Sequence, residues 1–101
     1  MEIKTPFGYV IELGKTDEIG VAILVIEPGK EIEPEYHKKT KEVEYVINGD
    51  VFCMDKLFKK GAINVWEPEQ VHGYKNRSNE KVKILCITIP PFDPCDAFKV
   101  Q

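Results

Sequence analysis

The sequence is poor in arginine, and its charge balance excludes one broad class of partner. Of the 14 basic residues among its 101 residues, only Arg77 is an arginine, and 17 acidic residues give a net charge of −3. Proteins that bind nucleic acid usually carry arginine and lysine clustered on one face with an overall positive charge. We therefore expect no nucleic-acid partner.

The cysteines and the apolar segments exclude further classes. The three cysteines, Cys53, Cys86 and Cys95, are an odd set without a C-x-x-C pair, which is more typical of free thiols in a reducing compartment than of a disulfide framework. No stretch approaches the roughly 18 apolar residues of a membrane span. The opening residues MEIKTPFGYV also lack the apolar run of a signal peptide. We expect a cytoplasmic protein that does not enter a membrane.

Helical periodicity is nearly absent, and the pattern predicts an all-β fold in one domain, residues 1–101. Short apolar runs are interrupted every several residues by turn-forming residues, as in sandwiches and barrels. Asn48-Gly49 is a hairpin signal, because both residue types tolerate positive φ. We expect the tail to pack back on the fold, since Phe92 and Phe98 are costly to leave in water. The predicted strands are Val21–Ile26, Glu42–Ile47, Val51–Met54, Ala62–Trp66, His72–Asn76 and Val82–Ile89.

The two histidines of the chain indicate a metal site. His37 follows Glu35 by two residues, and alternate side chains of an extended segment share a face. Glu42 opens the next predicted strand, and His72 opens a later one. Two imidazoles with one or two carboxylates suit a divalent transition metal, Mn, Fe, Ni or Zn, and leave positions for water or substrate. Taken alone, two histidines in a chain are more often ordinary core or surface residues.

The spacing of these residues resembles the cupin superfamily. Residues Gly29–Gly49 are similar to its first motif, G-x(5)-H-x-H-x(4)-E-x(6)-G, and residues Gly61–Asn76 to its second. The resemblance implies a single-domain cupin jelly-roll barrel (a double-stranded β-helix) with one metal ion on His37, Glu42 and His72. Glu35 stands where most cupins have the first histidine, and is either a fourth ligand or an outer neighbour of the metal. Glu69 stands where a glycine is common.

A second, more distant resemblance concerns the substrate. The segments TPFGYVIEL, PGKEIEPEYH and FDPCDAFKV are similar to the cupin domain of bifunctional mannose-6-phosphate isomerases. The arginine that those proteins carry between histidine and glutamate is absent, since Thr40 and Lys41 precede Glu42. Their aromatic residue two positions after the glutamate is Glu44 here. The resemblance implies a sugar or sugar phosphate as the small-molecule ligand.

Two residues are candidate catalytic groups. Glu44 shares strand parity with Glu42, and a carboxylate shielded beside a metal can act as a general base. Tyr74 has the parity of His72, and its hydroxyl could donate to a substrate oxygen. The alternatives are a Glu44 at the barrel mouth that is either solvated or paired with Lys75 or Arg77, and a Tyr74 that is simply packed.

Three function classes stay open, because cupins host many unrelated activities. The first is a metal-dependent enzyme that moves a proton on a small oxygenated molecule, as in sugar isomerisation. The second is an Fe(II)-dependent dioxygenase, and the third is a non-catalytic module that binds a small ligand or metal. We also expect a homodimer, formed through the apolar segment Val21–Ile26 as an exchanged edge strand.

Overall fold

A computed structural model describes residues 1–100 and consists almost entirely of β-strands. The strands form two antiparallel sheets, in the orders β1-β2-β3-β10-β5-β8 and β11-β4-β9-β6-β7. The all-β jelly-roll prediction is confirmed, although the two sheets do not close into a continuous barrel. The elements are β1 (Glu2–Thr5), β2 (Gly8–Lys15), β3 (Gly20–Ile26), β4 (Glu31–Tyr36), β5 (Lys41–Asn48), β6 (Val51–Cys53), β7 (Lys56–Phe58), β8 (Ile63–Trp66), β9 (His72–Lys75), β10 (Val82–Ile89), the 3-10 turn η1 (Pro94–Asp96) and β11 (Phe98–Lys99).

The core lies between the two sheets, at the end away from the histidines. Strand β10 alternates buried and more exposed residues, as a strand with one covered face does. Its inward side chains Val82 and Ile84 pack with Val46 of the same sheet and with Val51 and Tyr74 of the other. Toward the histidine end of the fold, the side chains that face inward on the same strands are polar. One face of each central strand therefore contributes to the apolar core at one end and to the site at the other.

The chain changes sheets where the sequence indicated a hairpin. Asn48-Gly49 ends β5, but β5 pairs with β10 and β8, whereas β6 pairs with β7 and β9. The prediction of a β5–β6 hairpin is therefore wrong. A residue with positive φ can form a sharp corner as well as a hairpin turn. Gly49 has a φ of +90° at the point where the chain crosses from one sheet to the other.

The actual two-residue hairpin joins β6 to β7. Cys53 pairs with Lys56, and Met54 and Asp55 between them have φ values of 50° and 71°. Positive φ at both central residues is the geometry of the preferred hairpin turns. This hairpin is less evident in the amino-acid pattern than Asn48-Gly49, because methionine is not typical of such turns. The strands β1, β2, β4, β7 and β11 were also not among those predicted.

Strand β3 is internal, which contradicts its predicted role in a dimer. It pairs with β2 on one side and with β10 on the other, along its whole length. Its backbone hydrogen-bonding groups are therefore satisfied within the chain. The edge strands of this sheet are β1 and β8, so an exchanged edge strand cannot be the segment Val21–Ile26.

The tail returns to the fold, as expected, through β11. Phe98 pairs with Tyr36 of β4, and their rings stack with centroids 5.5 Å apart. Phe98 is therefore partly covered, as expected. Phe92 differs from the expectation, since it is 55% exposed. The described residues include no helix with the length and apolar character needed to cross a membrane.

Gly49 provides a test of the corner between the sheets. A Cβ added there would lie 2.9 Å from Cγ2 of Val82 and 3.2 Å from the carbonyl oxygen of Lys81, at a φ that disfavours side chains. We expect Gly49→Ala to lower the free energy of unfolding by about 1–3 kcal/mol in a denaturant titration. Gly14→Ala is the control, because a Cβ there meets nothing within 4 Å. Equal stabilities of the two variants would contradict this description of the corner.

Candidate metal centre

Three predicted ligands converge at the histidine end of the fold. His37 follows β4, Glu42 lies in β5 of the larger sheet, and His72 opens β9. Oε1 of Glu42 lies 3.0 Å from Nε2 of His37 and 2.7 Å from Nε2 of His72. One ligand atom of each residue lies within 4.8 Å of the others, and all three side chains are buried. The two sheets together thus bring residues from distant parts of the sequence to one point.

Backbone carbonyls fix the orientation of both imidazoles. Nδ1 of His37 lies 2.8 Å from the carbonyl oxygen of Asp96, and Nδ1 of His72 lies 3.1 Å from that of Gln70. A carbonyl oxygen can only accept, so each Nδ1 carries the hydrogen. In the neutral rings each Nε2 therefore presents a lone pair. This arrangement is typical of metal-binding histidines, whose second nitrogen donates to a carbonyl or carboxylate.

The Glu42 carboxylate tests whether a cation fits these residues. Among the described residues, Oε1 of Glu42 is the one buried side-chain oxygen or nitrogen without a hydrogen-bond partner. When both imidazoles are neutral, its two neighbours are lone-pair nitrogens, so three electron donors face one another. Buried anionic oxygens are stable only when paired, hydrogen-bonded or bound to a metal. The donor set of two imidazoles and one carboxylate thus fits a divalent transition metal.

The same geometry perturbs the protonation of the three groups. When Nε2 of His37 is protonated it can donate to Glu42, and this hydrogen bond raises the pKa of His37 to about 9, although burial opposes the shift. Burial would lower the pKa of His72, but the hydrogen bond that its protonated ring can donate to Glu42, together with the charge of Glu42, raises it above its ordinary value. Burial would raise the pKa of Glu42, whereas the hydrogen bonds that both protonated imidazoles can donate bring it down to about 2. Protons and a metal ion compete here for the same atoms.

Glu35, the predicted fourth ligand, lies at the rim of this cluster. Its Oε1 is 4.0 Å from Nε2 of His37, and its side chain is 21% exposed. A register shift in the β4–β9 pairing between Ile32 and Glu35 alters the simple alternation on which its predicted orientation rested. Glu35 is near enough to add negative charge to the site, and its role as a ligand stays a prediction.

Glu44 and Tyr74, the predicted catalytic residues, lie inside the fold and contact each other. The Tyr74 hydroxyl donates to Oε1 of Glu44 over 2.5 Å, and the indole of Trp66 donates to the same oxygen over 2.7 Å. Glu44 is 2% exposed, which excludes the alternative of a solvated residue at the mouth. Burial is the main reason that the pKa of Glu44 is raised and that the pKa of Tyr74 is raised far above its usual range.

The sequence did not indicate three residues that contact the site. Trp66 stacks on the His72 ring with centroids 5.2 Å apart, in addition to its bond to Glu44. The Cys86 thiol donates to Oε2 of Glu42 over 3.3 Å. Asp96 accepts from His37. Trp66 pairs with Glu42 across β5 and β8, so strand alternation could have identified Trp66 as a neighbour of the site. The sequence around Cys86 and Asp96 carries no such signal.

Sequence comparison agrees with this geometry. A family model described as the cupin domain matches residues 22–88, more than half of the chain. The chain belongs to the cupin family. The match includes the whole first motif and all three converging residues. A search of curated proteins found no significant match to this cupin.

Solved structures share the fold of this cupin at low sequence identity. An uncharacterized conserved protein with a double-stranded β-helix domain from Klebsiella pneumoniae is 25% identical, with a TM-score of 0.73 over 78% of this chain and 69% of that chain. The polyketide cyclase RemF from Streptomyces resistomycificus is 14% identical, with a TM-score of 0.83 over 99% and 75%. A sugar phosphate isomerase of the cupin superfamily from Silicibacter pomeroyi is 18% identical, with a TM-score of 0.73 over 80% and 58%.

Glu42→Gln separates a metal site from an ion-paired core cluster. We expect the Kd for Mn, Fe, Ni or Zn, measured by calorimetric titration, to rise at least about 100-fold, since a charged ligand is lost. At a pH above 9, where His37 is neutral, the metal-free variant should unfold at the wild-type temperature or above, because the amide removes a buried charge and can donate to one Nε2. Glu33→Gln is the control, since Glu33 is 67% exposed.

The opposite pair of results would exclude the metal site. A buried ion pair that loses one partner costs about 3–5 kcal/mol. If Glu42→Gln loses that much stability in the metal-free state and wild-type protein binds none of the four metals, the three residues form only a structural cluster.

Proposed function

We propose that this cupin is a metal-dependent enzyme that moves a proton on a small oxygenated molecule such as a sugar or sugar phosphate. The observation that carries the proposal is the position of a buried carboxyl group beside the candidate metal ligands. Oxygens of Glu42 and Glu44 lie within 4.8 Å of each other and of the Cys86 sulfur. A ligand carboxylate and a second carboxyl with a raised pKa therefore lie side by side inside the fold.

The metal, held by His37, Glu42 and His72, would polarise a carbonyl or hydroxyl oxygen of the bound molecule. Glu44 takes the proton from the hydroxyl-bearing carbon beside that carbonyl, and the carbonyl oxygen gains a proton from water to give an enediol. Glu44 then returns its proton to the former carbonyl carbon while the neighbouring hydroxyl loses its proton to water, so an aldose becomes a ketose without an external oxidant. Tyr74 and Trp66 hold one oxygen of Glu44 in place, which leaves the other for the transfer.

The surroundings of Glu44 suit this role. A carboxyl group transfers protons best near neutral pH when its pKa is raised, and burial raises that of Glu44. The rim beside His37 carries Glu35 and the exposed ring of Phe92, whose centroid lies 6.1 Å from that of His37. A small polar molecule would enter between them. The structural similarity to a sugar phosphate isomerase supports the choice of substrate class.

Deuterium exchange tests the proposal. Wild-type protein loaded with metal should incorporate solvent deuterium into aldose or ketose phosphates, detected by mass spectrometry. Glu44→Gln should reduce the rate by about 10²–10⁴-fold, the usual contribution of a general base. The amide oxygen can still accept from Tyr74 and Trp66, so we expect its metal content to be unchanged. Glu33→Gln should exchange at the wild-type rate, and full exchange by Glu44→Gln would exclude Glu44 as the base.

A second candidate function is favoured by the ligand set itself. Two histidines and one carboxylate with open positions are typical of non-haem Fe(II) oxygenases. Oxygen uptake by the Fe(II)-loaded protein, without deuterium exchange, would favour this dioxygenase. Metal binding without either activity would favour a module that binds a small ligand or metal.

We propose, in addition, that this cupin forms a homodimer through the outer face of the larger sheet rather than by exchange of β3. The strand registers place two rows of apolar side chains side by side on that face. Ile63 is 66% exposed, Val65 45% and Tyr45 39%. The first row is Ile11, Ile23, Leu85, Tyr45 and Ile63, and the second is Val21, Ile87, Val43 and Val65.

The size and chemistry of this face match a second copy of the chain. Five strands of about seven residues present roughly 24 Å by 24 Å, which approaches the roughly 800 Å² of accessible surface per partner in a standard interface. Because both rows are uncharged, a two-fold axis brings apolar rows together without facing like charges.

The free cysteines support our further proposal of a reducing, cytoplasmic location.

Substitution at the edge of the rows tests the dimer. We expect light scattering to give a dimer mass for wild-type protein and a monomer mass for Ile63→Lys/Val65→Lys, because two charges would be buried without partners. Leu57→Lys is the control, since Leu57 is 42% exposed on the other sheet. A monomeric wild type, or a double variant that stays dimeric, would refute this interface.

A further inference from the structure

Asp96 lies in the tail, but it forms several hydrogen bonds with the segment that begins at His37. Its Oδ1 accepts from the backbone amide of Lys38 over 2.9 Å. Its Oδ2 accepts from the backbone amides of Lys39 and Thr40 over 3.1 and 3.2 Å, and from Oγ1 of Thr40 over 3.2 Å. Three consecutive amides and a hydroxyl thus bind one carboxylate, which is 5% exposed.

The same residue also orients the His37 ring. The backbone carbonyl of Asp96 accepts from Nδ1 of His37, 59 residues away in the sequence. Asp96 therefore binds both the backbone that follows His37 and the ring nitrogen opposite the metal-facing one. His72 differs, because its Nδ1 donates to Gln70, only two residues away. One imidazole is oriented by its own turn and the other by a remote part of the chain.

Asp96 is itself held in place from two sides. Its amide donates to the carbonyl of Asp93 over 2.9 Å within η1, and the Asp93 side chain caps this turn by accepting from the amide of Cys95. On the other side, β11 pairs with β4, and Phe98 stacks on Tyr36, the residue before His37. The tail is therefore braced against the strand that leads into His37.

His37 needs this support because it lies just beyond the sheet. Strand β4 ends at Tyr36, so ladder hydrogen bonds do not continue through the following segment, residues 37–40. The carbonyl of His37 accepts from the amide of Glu69, which fixes one further point. Glu69 has a φ of 71° in this turn, the conformation for which glycine is suited at that motif position. The remaining amides of residues 38–40 are satisfied by Asp96.

We infer that Asp96 is a positioning residue that sets the metal affinity of this cupin, by fixing the imidazole of His37 from the C-terminal tail. The inference rests on the metal centre of the proposed function and adds that the centre depends on residues outside both cupin motifs. Burial opposes ionisation of Asp96, but its four donors outweigh that effect and lower its pKa.

The test compares metal affinity with stability. We expect Asp96→Ala to raise the Kd for Mn or Zn, measured by competition with a chromophoric chelator, by about 10–100-fold, the usual effect of losing an outer partner of a metal ligand. Asp96→Asn should raise it less, because its amide oxygen still accepts. Asp93→Asn is the matched control: it removes the same charge from the same tail, keeps the cap acceptor, and should leave the Kd unchanged.

A purely structural role is separated by the conditions of measurement. Well below the unfolding temperature nearly all molecules of a destabilised variant are still folded, so lost stability alone does not change the Kd. Gly49→Ala, which destabilises the fold away from the site, should bind metal like wild type. The visible spectrum of bound Co(II) should change in Asp96→Ala and not in Gly49→Ala, because only the former alters the coordination.

The outcomes distinguish this inference from the metal centre itself. If wild-type protein binds metal and Asp96→Ala binds it equally well, Asp96 is not a positioning residue and the centre stands. If wild-type protein binds no metal, both fail. In the metal-free protein, hydrogen exchange at the amides of Lys38, Lys39 and Thr40 should accelerate in Asp96→Ala. Unchanged protection there would also overturn the inference.

Discussion

The arrangement of the site depends on the burial of one carboxylate. Glu42 is 6% exposed, and its Oε1 faces two imidazole nitrogens whose rings are already committed to backbone carbonyls. An ionised carboxylate in such a place is stable only with positive charge beside it. Protons can supply that charge, and so can a divalent cation. The strands, the Gln70 turn and the tail together hold the three groups near one another despite this requirement.

Much of this site could be predicted because strand alternation and motif spacing determine it. Glu42 and Glu44 share a face of β5, and His72 and Tyr74 share a face of β9, so their inward orientation follows from parity alone. The contacts among them do not. Whether the Tyr74 hydroxyl contacts a substrate or Glu44 depends on how closely the two sheets face each other. The distance between the sheets cannot be read from the sequence. Asp96 was missed because its role depends on where an irregular tail returns.

The errors about the fold have a common physical cause. Residues that permit positive φ mark a reversal of the chain, but they do not distinguish a hairpin from a corner between sheets. Asn48-Gly49 is such a corner, while the hairpin of the smaller sheet is made by Met54-Asp55. The edge role given to β3 failed similarly, because an apolar strand has the same composition whether it is internal or at an edge. Pairing between distant strands decides both cases.

The position of β10 in the larger sheet has a consequence for how the molecule folds. Residues 82–89 lie between β3 and β5, so these two strands share no partner until that part of the chain is available. During synthesis the earlier strands are exposed with unpaired edges. The entropy cost of closing long loops must be met before the stabilising contacts between distant strands can form. Folding on a millisecond-to-second scale is typical of such non-local pairing. Glu42, on β5, gains its final surroundings only when that strand arrives.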